Sequence, residues 1–199
     1  MSTPSDGARA IVYGHIGDVG EARARRELCS PGAGDFLTGV AQACLPRVRG
    51  LRAGAAGDRA LVTVLLHYAL SAAAVPSHRK VSVRGTEVDI VVPDARTLAA
   101  SPRRALVICL PEDATPGGLE RAAAAAGRAQ PVAANVAVAL CASAAGSRVE
   151  AYSVEDGTLG GILGRARDFL GSTGGGRLGI LGSPAGAEQG ADVHRGPQG

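Results

Sequence analysis

Two short apolar runs constrain this chain more than anything else in it. Ala105–Leu110 (ALVICL) and Val136–Leu140 (VAVAL) carry no polar alternation. A strand with one wet face alternates, so an unbroken run belongs to a strand covered on both faces. Between them, the Ala-rich stretch 119–129 has the composition of a helix. Strand, helix and strand in that order predict a right-handed parallel crossover. Such a unit needs helices above and below its sheet, which sets an α/β expectation for the whole chain.

The segment before this unit is RKVSVRGTEVDIVVPD, residues 79–94. Val81 and Val83 alternate with Lys80, Ser82 and Arg84, the period of a half-buried strand. Gly85-Thr86 suits the centre of a type II′ turn, and Glu87–Val92 is the return strand. That register sets Arg84 against Glu87, Ser82 against Asp89 and Lys80 against Val91. Lys80, Ser82, Arg84, Glu87 and Asp89 then share a polar face, and Val81, Val83, Val88 and Ile90 form the buried one. A polar face of this kind also serves solubility and register in any hairpin.

Elsewhere the pattern is mainly helical. Helices are expected over 20–29 and from an Asp35 N-cap to Leu45, where Pro46 closes the second. A third, long and apolar, is expected from an Asp58 N-cap to Pro76. At 16 residues, the run Ala60–Val75 is shorter than the roughly 20 a bilayer requires, and it reads as a core helix. Residues 11–16 (IVYGHI) read as a short strand or irregular lead-in, 149–154 as an edge strand and 159–170 as a last helix. The division is a helical lead-in over 1–57, an α/β core over 58–171 and a flexible Gly-rich tail over 172–199. The expected fold is a single domain with a mixed central sheet and helices on both faces.

The order of elements, with Glu87-Val88-Asp89 on the second strand, resembles the core of the restriction-endonuclease-like, or PD-(D/E)xK, superfamily. That resemblance covers about residues 58–154. It implies an acid on the second strand that binds a divalent metal, then an acid, one spacer residue and a lysine on the third. Asp89 matches the first acid. Cys109 and Pro111 stand where the second acid and the lysine are expected. The resemblance is therefore to a catalytically degenerate member with a nucleic-acid-binding or scaffolding role. An active nuclease would need a relocated site, with Asp89, Glu87, Glu112 and Lys80 as catalytic residues and Asp89 and Glu112 holding Mg²⁺ or Mn²⁺. A third reading is a protein-interaction module without nucleic acid. Without the nuclease chemistry no cofactor is expected.

Composition separates these readings weakly. The 199-residue chain has a formal net charge of +3, and of its 21 Lys plus Arg residues only Lys80 is lysine. Arg47, Arg49, Arg79, Arg84, Arg103 and Arg104 are candidate contacts to a phosphate backbone, or surface charge in an arginine-biased chain. Aromatics, at 3%, are scarce for base stacking. The cysteines (29, 44, 109 and 141) show no zinc-like spacing, and residues 1–10 contain no apolar run. A reduced, cytoplasmic setting is expected. His67 reads as a core histidine, and Gly171–Gly176 (GSTGGG) as linker rather than phosphate loop.

Overall fold

The computed structural model describes residues 3–144, 146 and 148–173. Most of the expected tail, with residues 174–199, lies outside the described residues. Among the described residues, seven α-helices and five strands form one domain: α1 (Pro4–Val19), α2 (Glu21–Cys29), α3 (Ala33–Gly50), α4 (Gly54–Ala72), β1 (His78–Val83), β2 (Thr86–Val92), α5 (Ala95–Ala100), β3 (Leu106–Cys109), α6 (Pro116–Gly127), β4 (Val136–Leu140), β5 (Ala151–Ser153) and α7 (Gly161–Thr173).

The sheet order is β1-β2-β3-β4-β5. β2 is antiparallel to both neighbours, whereas β3, β4 and β5 run parallel. The two apolar runs are the central parallel pair, joined through α6. Their lack of alternation has the expected cause. Leu106 and Ile108 enter the core shared with α1–α4 and α7, while Val107 and Cys109 enter the one shared with α5 and α6. Among the described residues, no helix is long and apolar enough to cross a membrane.

Several local expectations are corrected. Residues 11–16 are helical: Ala8, Val12 and Ile16 are buried at four-residue spacing, and Thr3 with Asp6 forms a capping box at the start of α1. Asp35 lies in the first turn of α3 rather than capping it, and Pro46 lies inside that helix. Proline removes one backbone bond, but Leu45 and Val48 on either side are buried and hold the helix to Gly50. Asp58 likewise lies within α4, so the expected boundary at residue 58 crosses a helix. The first three helices supply Val12, Leu28, Leu37, Val40 and Val48 to the larger core and belong to the same domain.

The hairpin turns one residue earlier than expected. Val83 pairs with Thr86, and Arg84-Gly85 form the turn with φ of 53° and 74°. Two positive φ values are the type I′ signature, whose twist matches that of the strands. Ser82 therefore opposes Glu87. Arg79↔Ile90 and Val81↔Val88 bracket Lys80 and Asp89, which stand across from each other. Lys80 has a φ of 47°, a left-handed conformation that interrupts the ladder. Alternation breaks at the same level of β2, since Val88 enters the α5–α6 core and Ile90 the opposite one.

Candidate functional site

The candidate site lies beyond the C-terminal end of β3, between the first turns of α1 and α4 and the β1–β2 hairpin. Residues of these elements enclose a cleft of about 750 Å³ that includes Arg59, Arg79, Lys80, Asp89, Leu110 and Glu112. Arg59 is central. One turn into α4, it crosses to the sheet and donates from Nη2 to Asp89 Oδ1 at 2.7 Å and from Nε to Leu110 O at 2.9 Å. The Leu110 N–H donates in turn to Asp89 Oδ2 at 2.8 Å. Arginine, carboxylate and backbone amide thus close a ring in which both oxygens of Asp89 are used. Glu112 sits at the rim, 89% exposed, with Oε1 3.9 Å from Arg59 Nη1, beyond hydrogen-bond reach.

Of the four residues expected in a relocated site, Asp89, Glu112 and Lys80 share this cleft. Glu87 lines a separate cleft with Cys109, Pro111, Asp113 and Arg121, which Asp89 and Glu112 border as well. Asp113 is already engaged. It accepts from Thr115 N at 2.8 Å and Arg121 Nη2 at 2.6 Å, and these bonds, the one to the Thr115 backbone foremost, hold its carboxyl below the usual range.

Cys109 ends β3 next to Asp89 and is 5% exposed. Burial, reinforced by the charge of Asp89, pushes its thiol up to about 12. Burial of this kind disfavours the thiolate, the form that acts as a nucleophile. Pro111 offers no charge and no N–H. Among the described residues, no group of three or more His, Cys, Asp or Glu side chains could hold a metal ion. Of the two carboxylates in the cleft, Asp89 has one oxygen bound by the Arg59 guanidinium and the other by the Leu110 N–H, and Glu112 is the one without a hydrogen bond to Arg59.

Comparison with protein-family models, with curated proteins and with solved structures finds no match. The site therefore rests on its own geometry.

The candidate phosphate-contacting arginines fall in different places. Arg79 lines the cleft and is exposed. Arg84, in the turn, reaches Ala99 O at 3.4 Å. Arg47 is exposed on the last turns of α3. Arg49 is committed to structure, bridging Asp58 at 3.0 Å and Glu155 at 2.7 Å, and these contacts raise its already high basicity. Arg103 and Arg104 occupy the 3₁₀ turn that enters β3, at the end of the strand away from the cleft. Sequence reasoning missed Arg59. It lies beside a long apolar run, and its partner is 30 residues further along.

Proposed function

We propose that this chain is a catalytically retired protein of the restriction-endonuclease-like class that binds nucleic acid. Three features support the reading. The strand directions are those expected of that core, with an antiparallel hairpin followed by a parallel crossover. Asp89 lies on the second strand and faces a charged cleft. Cys109 ends the third strand and Pro111 follows two residues on, where the resemblance expects the second acid and the lysine.

The observation that carries the proposal is the Arg59–Asp89 contact. Metal-assisted phosphoryl transfer needs a carboxylate open to the cation, and here that carboxylate is filled by a guanidinium and a backbone N–H. Beside it Arg79 and Lys80 outnumber the one remaining carboxylate, Glu112, a balance that suits binding of a polyanion.

The test is incubation of the purified chain with labelled branched, duplex and single-stranded DNA and RNA, in Mg²⁺, Mn²⁺ or chelator. Binding should weaken steeply with salt, and Arg79→Ala should reduce the salt slope by about one. No metal-dependent cutting is expected. Cutting that is lost in Asp89→Ala would make the chain an active nuclease. Absence of binding at any salt would leave the protein-interaction reading.

A further inference from the structure

The ring around Asp89 has an unusual chemical composition. A carboxylate oxygen of Asp89 and the carbonyl of Leu110 accept from one guanidinium, at Nη2 and Nε, and the Glu112 carboxylate stands nearby. Hard oxygen donors of this kind commonly surround a divalent cation. The centre here is the guanidinium of Arg59, always charged and rigidly forked. Only its inner edge is used: Nε is spent on Leu110 and one Nη2 proton on Asp89, while Nη1 makes no hydrogen bond with Glu112.

Arg59 lines the cleft together with Arg79 and Lys80, both of which are exposed. Among the charged residues lining it, three cations meet two carboxylates, and pairing Arg59 with Asp89 leaves Arg79 and Lys80 against Glu112. Ala53 gives α4 no side-chain cap, so the first-turn N–H groups near Ala55 and Ala56 add positive potential to the same wall.

We propose that Arg59 is the resident cation of this cleft: it takes the place of a divalent metal and, with Arg79 and Lys80, binds a phosphate group directly. Asp89 is then a positioning residue that fixes the plane of the guanidinium. This deepens the reading given under Proposed function by naming the ligand and the residues that hold it. The phosphate belongs either to a nucleic-acid backbone or to a small phosphorylated molecule, and both would meet the same three cations.

The test uses the full chain and two probes. Inorganic pyrophosphate is titrated calorimetrically in chelator against wild type, Arg59→Ala, Lys80→Ala and Asp89→Asn, with folding of each verified by circular dichroism. Binding without metal is expected, weakened at least tenfold in Arg59→Ala and Lys80→Ala and severalfold in Asp89→Asn. Lys80 is exposed on an edge strand, so its variant keeps the test decisive even if Arg59→Ala does not fold. The second probe is Mn²⁺, followed by electron paramagnetic resonance. Wild type should show no site that depends on Asp89. Arg59→Ala should gain one, and Arg59→Ala with Asp89→Asn should lose it again.

Pyrophosphate binding that requires Mn²⁺, affinities within twofold of wild type in both alanine variants, or an Asp89-dependent Mn²⁺ site in wild type would each overturn the inference. Displacement of labelled duplex by pyrophosphate would assign the phosphate to a nucleic-acid backbone. Pyrophosphate binding with no nucleic-acid binding would uphold the inference, assign a small phosphorylated ligand and refute the proposed function. Nucleic-acid binding unaffected by both alanine variants would do the reverse.

Discussion

Lys80 and Asp89 face each other at the single level of the β1–β2 hairpin where the ladder is interrupted, with Lys80 in a left-handed conformation. Left-handed backbone costs a non-glycine residue about 1–2 kcal/mol, whereas glycine in a strand loses roughly 0.5–1 kcal/mol to entropy. Lys80→Gly should therefore leave stability unchanged or raise it by up to about 1 kcal/mol in denaturant titration, while phosphate binding falls. Val83→Gly, at a buried position with ordinary φ, should destabilise. Equal destabilisation by both glycines would show that Lys80 is not held under strain.

Asp89 satisfies the Leu110 N–H as well as Arg59. Asp89→Ala orphans that partly buried amide and should cost about 1–3 kcal/mol by chemical denaturation. Asp89→Asn keeps an acceptor and should cost less. If the two variants melted at the same temperature, the backbone bond would contribute nothing.

Two glycines of the last helical region should respond in opposite ways. A Cβ on Gly160 would sit 1.8 Å from Gly34 O, where the chain approaches α3 closely. Gly160→Ala should lose about 1–3 kcal/mol or more, because backbone cannot give way as a side chain can. A Cβ on Gly164, within α7, meets nothing within 4 Å. Gly164→Ala should gain roughly 0.5–1 kcal/mol from helix propensity. Thermal melts of the two variants check both signs.

The thiols should separate by reactivity. Burial pushes Cys109 and Cys141 up to about 12 and raises Cys44, whereas Cys29 is exposed. Iodoacetamide at pH 8 should label Cys29 rapidly and the other three slowly, with all four reacting in denaturant. Rapid native labelling of Cys109, read by mass spectrometry, would mean that β3 opens readily.

His67 gives the pH dependence a definite sign. Burial, then the charges of Arg79 and Arg9, lower its folded value below 6.5. The unfolded chain then binds the proton more readily, so the neutral histidine contributes full stability above about 6.5, and that contribution declines as pH falls toward the lowered folded value. His67→Gln should flatten the stability profile across that interval and leave it unchanged at pH 8.

The readable parts of this sequence were those with a local cause. ALVICL and VAVAL fit strands covered on both faces, and α6 between them followed from its alanines. The hairpin strands were legible, but their turn was not. Arg84 accepts a left-handed conformation that sequence alone gives no reason to assign to arginine, and the one-residue difference moved Lys80 opposite Asp89. In α1, the β-branched and aromatic residues of IVYGHI masked a four-residue spacing, although Thr3 and Asp6 carried a capping-box signal. The pairing of Arg59 with Asp89 joins α4 to β2, a tertiary event with no short-range signature. Asp89, Glu112 and Lys80 line one cleft, but Lys80 reaches it through a register the sequence did not reveal, and Arg59, which binds Asp89, lies outside the motif.

The interruption at Lys80 matters outside the cleft as well. β1 is one border of the sheet, the opposite one being the three-residue β5. A straight, regular border strand offers a template to any passing chain, and proteins guard such borders with brevity, twist and charge. β5 is too short to recruit a partner, and β1 is broken at mid-length beside Arg79 and Lys80. The local distortion that presents a lysine to the cleft thus also protects the molecule against edge-to-edge aggregation.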